Sequence, residues 1–276
     1  MARSILRCVL YWVVFIGLLM GGGVLSSIFF RGSFTRLVYG VLGTVSAFLV
    51  TWIFLRTEKR SFRDIGLVWE RGSLLRLLKG LVIGAVIFGI LLFLLLQFGG
   101  LRLVKNAHAP GWQDMIGYLA LLPLAFMEEV AFRSYPFLKL RTMMGLRASQ
   151  LVVAVAFALY HVTNGWSLYV AFTGPLVWSL VFGLAAAWSR GIAVPTGIHV
   201  TVNVLQLLVG VAAGSGSVWR LDLTKESAAD ISFGVRHAGL APQLVLLAGA
   251  ILATEYFIRV ISKRSPAWVS SADDRR

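Results

Sequence analysis

The sequence predicts an all-α integral membrane protein, a polytopic bundle of about eight transmembrane helices. Three observations carry this. Of 276 residues, 58% are hydrophobic and 14% charged. A soluble domain carries roughly 45–50% apolar and about 25% charged residues. The apolar residues fall into long runs separated by basic clusters. One cysteine, Cys8, excludes a disulfide-stapled fold, and the hydropathy excludes a disordered chain.

A membrane helix needs about 20 apolar residues to cross the hydrocarbon core. The candidate spans are Ile5–Ile28, Leu37–Leu55, Leu74–Phe98, Ile116–Leu138, Ala148–Val162, Trp166–Ser189, Ile192–Ala213 and Leu240–Ile261. The first follows Arg3 and Arg7 like a signal peptide, but it is too long for an h-region of about 7–15 residues. It is expected to be a retained helix. The fifth is short for a full crossing. Ser61 to Lys79 mixes Phe62, Ile65 and Trp69 with Arg63, Asp64 and Arg71, the pattern of an amphipathic segment on the inner leaflet. Gly17/Gly21 and Gly80/Gly84 have small-xxx-small spacing, which 28 glycines also produce by chance; they are assigned to packing.

The net charge is +14, from 26 Lys+Arg against 12 Asp+Glu. The basic residues are spread between apolar runs rather than gathered into one patch, so they orient helices and imply no nucleic-acid partner. With the N-terminus inside and alternating sides, 18 fall inside and 7 outside, leaving Arg133 unplaced. Both termini are thus expected in the cytoplasm, in a bacterial cytoplasmic membrane. The whole chain, 1–276, reads as one membrane domain in contact with the lipid bilayer.

Ten of the acids lie at or near span boundaries, with Glu255 expected to pair with Arg259 at i,i+4. The other two, Glu128 and Glu129, lie deep in the fourth span with Arg133. A charge at the bilayer centre costs roughly 2.5–3.5 kcal/mol, so three facing lipid would cost about 8–10 kcal/mol. They must face the protein interior or a watery cavity. Glu129 and Arg133 are i,i+4 and can pair, whereas Glu128 points about 100° away and is left for chemistry. His161 ends the fifth span, and His199 and Asn203 share one face of the seventh. Two buried histidines, an unpaired glutamate and an asparagine on three helices point to one polar site. A buried ion pair that merely holds helices together explains Glu129 and Arg133 but not Glu128.

These residues form three motifs in order: Glu128-Glu129-x-x-x-Arg133, Phe157-x-x-x-His161 and His199-x-x-x-Asn203. The chain resembles the CPBP family of intramembrane endopeptidases (CAAX proteases and bacteriocin-processing enzymes, also called the Abi family). The resemblance covers roughly Ile116 to Ala213, a motif-bearing catalytic core at 116–213; the flanking spans carry no motif. It implies peptide-bond hydrolysis on a membrane-associated protein or peptide. Glutamate and histidine would act on water, and histidine and asparagine at the oxyanion.

The residue types agree with those roles. A carboxylate held away from bulk water can serve as general base, which fits Glu128, and His161 can share the water and shuttle a proton. His199 and Asn203 can donate hydrogen bonds to an oxyanion. Glu128, His161 and His199 are also a possible zinc set, although there is no HExxH; the reading leans toward catalysis without a metal. Cys8 and Ser134 read as packing residues. A proton- or ion-coupled transporter using Glu128, His161 and His199 as a relay is the alternative, weakened by the lack of an internal repeat. A non-catalytic scaffold of the same fold is a third reading. Glu128 lies 11 residues before Lys139, about 16 Å along one helix, and His199 about 10 Å past Ile192, so a cavity opening to the inner side is expected.

Overall fold

A computed structural model describes residues 2–107, 110–211, 216–224 and 239–261. Its helices are α1 (Ala2–Phe29), α2 (Ser33–Thr57), α3 (Ser73–Phe98), α4 (Trp112–Arg133), α5 (Tyr135–Thr163), α6 (Leu168–Thr173), α7 (Pro175–Ser189), α8 (Ala193–Leu208) and α9 (Leu240–Tyr256). All eight expected spans are helical over most of their length. In a bilayer each backbone polar group must find an internal partner, which helices provide. Six helical stretches are long and apolar enough to cross a membrane, and α8 is a shorter apolar helix.

The breaks fall elsewhere than hydropathy places them. The expected span Ile116–Leu138 is two helices, parted at Ser134 (φ −91°, ψ −111°). Pro136 has no N–H for a helical bond and its ring would clash with the Phe132 carbonyl, so α4 ends at Arg133. Helix α5 then runs through the expected loop at 139–147 with one kink at Gly145 (φ 77°, ψ 177°), backbone open only to glycine. Trp166–Ser189 is likewise divided at Gly174, with Pro175 opening α7. The segment after Ser61 holds only a four-residue 3-10 turn, Phe62–Ile65, and Ser73–Lys79 belongs to α3. Two strands not foreseen, β1 (Leu101–Lys105) and β2 (Trp219–Leu223), pair antiparallel. His108 and His237, expected in outer loops, lie outside the described residues.

Helices α2 and α4 run side by side in the same direction, Gly40 against Pro123 and Leu124 and Gly43 against Met127. Helices α3 and α8 do the same through Gly80, Gly84 and Gly197. A Cβ on Gly84 would lie 2.8 Å from the Ile198 carbonyl oxygen and 2.9 Å from its Cα. Gly80 and Gly84 are thus the packing glycines their spacing suggests. Gly17 and Gly21 are not, since a Cβ on either meets nothing within 4 Å.

Contacts between loops show which ends share a side. Glu58, just past α2, accepts hydrogen bonds on Oε1 from Arg7 (2.6 Å), Tyr135 (2.8 Å) and Lys139 (2.5 Å). Arg147 donates a bidentate pair to Glu255 (2.5 and 2.7 Å), so the expected partner Arg259, at 3.6 Å, is the weaker of two. The N-terminus, the α2–α3 connection, the start of α5 and the end of α9 therefore lie together. The β1–β2 ladder joins the connections after α3 and α8 at the other end. This is the alternation assumed in counting charges.

Partial burial raises the Glu58 pKa, but hydrogen bonds from Lys139, Tyr135 and Arg7 outweigh it and hold the carboxyl below its ordinary value. A carboxyl with a lowered folded-state pKa stabilises the fold above its unfolded pKa, about 4.3, and loses that contribution as pH falls through the folded value. The melting point of wild type should therefore exceed that of Glu58→Gln at pH 7. The gap should close as pH drops below about 4. Thermal unfolding in detergent measures it, and a gap independent of pH would contradict the assignment.

Candidate active site

The site begins where α4 stops. The last carbonyls of a helix lack helical partners. Here the Trp12 indole donates to the Ala131 carbonyl at 3.2 Å, and the Ser134 hydroxyl donates to that of Val130. Around this end lie Phe132, Tyr135, Phe157 and Tyr160, all buried, with Phe132 edge-on to Phe157 at 5.1 Å. Glu128 is thus five residues from the end of its helix, about 8 Å, and not 16 Å along a continuous one.

Glu129 and Arg133 form the pair their spacing predicts, 3.5 Å from Oε1 to the guanidinium, both side chains fully buried. Glu129 has a second partner that spacing did not reveal: Nδ1–H of His199 on α8 donates to Oε1 at 2.8 Å. The other nitrogen, Nε2, lies 3.6 Å from Oε2 of Glu128. Glu128 is therefore not isolated. His199 stands between the two carboxylates, and the bond at Nδ1 fixes which nitrogen faces Glu128. Phe182 of α7 stacks on the imidazole at 4.4 Å and 19°.

His161 approaches from α5. Its Nδ1–H donates to the Phe157 carbonyl at 2.8 Å, one turn back, leaving Nε2 for chemistry. Phe157, the first residue of that motif, lies between the histidines, 4.6 Å from the His161 ring and 6.2 Å from His199. Trp166 closes the outer edge of His161 at 5.1 Å. Tyr39 and Tyr160 carry the phenols that interact with Glu128. Asn203 lies one turn past His199 on α8, half-buried, with no hydrogen bond among the described residues. Of the seven motif residues, Glu128, Glu129, Arg133 and His199 meet one another, Phe157 bridges His161 to His199, and Asn203 flanks them.

Residues 110–205 match the family described as type II CAAX prenyl endopeptidase Rce1-like. This stretch is similar to that family. The match takes in α4, α5, α6 and α7 and most of α8, hence all three motifs, and covers about a third of the chain. The resemblance to CAAX proteases seen in the motifs is borne out over that stretch. No curated protein matches the chain.

A zinc would have to be held by Glu128, His161 and His199. Among the described residues, no three His, Cys, Asp or Glu side chains are grouped as metal ligands. Both Nδ1 atoms are engaged, one by a backbone carbonyl and one by Glu129, and His199 stands between the two carboxylates. An Nδ1–H held in this way is also what orients a metal-ligating imidazole, so the bonding itself fits a zinc, although Glu128, His161 and His199 are not gathered as three ligands around one point. Cys8 is buried, with Sγ 3.9 Å from the Pro136 carbonyl, a packing position like that of Ser134.

A cavity of about 570 Å³ adjoins the cluster without reaching it. Its wall includes Phe126, two residues before Glu128, and Thr196, three before His199. It lies between the α2–α4 pair and the α3–α8 pair, closed at one end by Gly66–Trp69 of the α2–α3 connection. That end is the side of Glu58 and Arg7.

The span Trp166–Ser189 was expected as a helix, but α7's part in the site was not. Ser179 and Phe182, which touch Arg133 and His199, sit in an apolar run with no motif.

Proposed function

We propose that the protein is an intramembrane endopeptidase that hydrolyses a peptide bond of a membrane-associated protein or peptide, with both termini and the Glu58 cluster on the cytoplasmic side. The observation that carries this is His199 held between Glu129 and Glu128, within a stretch that matches an endopeptidase family.

Hydrolysis needs a base for water, donors for the oxyanion and a proton for the leaving amine. Glu128 is the base: its side chain is 12% exposed, so water reaches it, whereas Glu129 is sealed. His161, through Nε2, accepts a hydrogen bond from the same water, then receives the proton that Glu128 has taken and passes it to the leaving amine. Asn203 faces the developing oxyanion from α8 with its amide N–H groups, and His199 adds a second donor only with a proton on Nε2, its Nδ1–H being held by Glu129; one donor is worth about 10²–10³-fold. Glu129 and Arg133 hold His199 and touch no substrate. Each step uses these side chains alone, without a metal.

The test is protein reconstituted in lipid vesicles and given a farnesylated peptide ending in a CAAX sequence, with a non-prenylated copy beside it. Release of the C-terminal fragment, unaffected by a strong zinc chelator, is the expected result. Proton uptake into the vesicles with neither peptide cleaved would overturn the reading in favour of a transporter.

A further inference from the structure

We propose that Ser179, together with Phe182, is a positioning residue of this site, orienting His199 through Arg133 and Glu129. The inference rests on the hydrolase reading above and extends it to a helix, α7, that carries none of the motifs.

Arginine presents five N–H donors in a planar fork. The guanidinium of Arg133 is fully buried, and among the described residues its Nε and NH1 make no hydrogen bond. The fork is fixed by one hydrogen bond, from NH2 to Oγ of Ser179 at 2.8 Å. Its attraction to Glu129 acts over 3.5 Å and says little about rotation. Its remaining neighbours are aromatic faces: Phe157 at 4.3 Å, Phe182 at 5.2 Å and Phe132 at 5.9 Å. These favour a cation over the rings but leave it free to turn within their plane. Ser179 therefore selects the orientation.

That orientation reaches the reacting groups in two steps. Arg133 approaches Glu129 on Oε1, and the same oxygen accepts Nδ1–H of His199. Shifting the cation shifts the acceptor that sets the imidazole's angle and the direction of Nε2 toward Glu128. Phe182 closes the loop physically, since one ring stacks on His199 and lies under Arg133. Ser179 and Phe182 are three apart on α7, so one helix face presents both.

The experiment compares wild type, Ser179→Ala and Ser179→Thr in two ways. The first is steady-state cleavage of the farnesylated CAAX peptide in vesicles. The second is ¹⁵N-histidine NMR of His199 in micelles. Ser179→Ala should lower kcat roughly 10- to 100-fold, the effect of losing a partner that orients a functional histidine, with KM within about twofold. Its His199 Nδ1 signal should move, and the melting point should fall modestly because the buried guanidinium loses its hydrogen bond. Ser179→Thr, which keeps the hydroxyl, should restore kcat and the signal. A wild-type kcat in Ser179→Ala, or an unmoved His199 signal, overturns the inference. Failure of the wild-type protein to cleave either peptide overturns the hydrolase reading instead, and the NMR comparison still decides whether Ser179 governs His199.

Discussion

Replacing Glu128 by glutamine should abolish peptide cleavage while leaving the fold unchanged. Glutamine keeps the shape of the side chain and removes its ability to take a proton. General-base catalysis contributes about 10²–10⁴-fold, so kcat should fall by at least that factor with little change in KM. Stability should change by less than about 0.5 kcal/mol, because Glu128 is partly exposed and His199 Nε2 is 3.6 Å away, beyond hydrogen-bond range. Glu129→Gln should behave differently. It disturbs a fully buried carboxylate that meets both Arg133 and His199, so activity and stability should fall together. Steady-state kinetics and unfolding midpoints on the two variants separate the roles. Wild-type cleavage by Glu128→Gln would remove it as the base.

Removing Arg133 should produce the largest loss of stability. Arg133→Leu leaves the Glu129 carboxylate buried without its cation, and breaking such a pair costs about 3–5 kcal/mol. Replacing both charges, Glu129→Leu with Arg133→Leu, should recover much of that loss, since two apolar side chains in a buried site need no partners. Activity should not return with stability, because His199 would still lack its acceptor. Unfolding in mixed micelles together with the cleavage assay reads both effects. A single Arg133→Leu variant as stable as wild type would show that the buried pair within α4 does not carry that stability.

The polar site was legible because charge in an apolar span is costly. Glu128, Glu129, Arg133, His161 and His199 each stood out against their surroundings. Ser179 gave no such signal, since a lone serine in a membrane helix reads as packing, and Phe182 is one apolar residue among many. The break at Ser134 was written in Pro136, but continuous hydropathy across Ile116–Leu138 masked it; a hydropathy window measures composition and not direction. The strands did leave a trace in the alternation of Trp219-Arg220-Leu221-Asp222-Leu223. The ties Arg7–Glu58–Lys139 and Arg147–Glu255 join residues far apart in the chain, and spacing rules stop at one or two helical turns.

The two glycine-packed helix pairs, α2 with α4 and α3 with α8, meet along a seam. Glu128 and Glu129 stand on one bank, and His199 and Asn203 on the other. The β1–β2 ladder binds the exits of α3 and α8, so that pair tends to shift as a single lever. The 2.8 Å bond between His199 and Glu129 is then a latch across the seam as well as a part of the site. Any widening that separates the banks undoes the catalytic alignment, and any closure that restores it reassembles the machinery in one stroke.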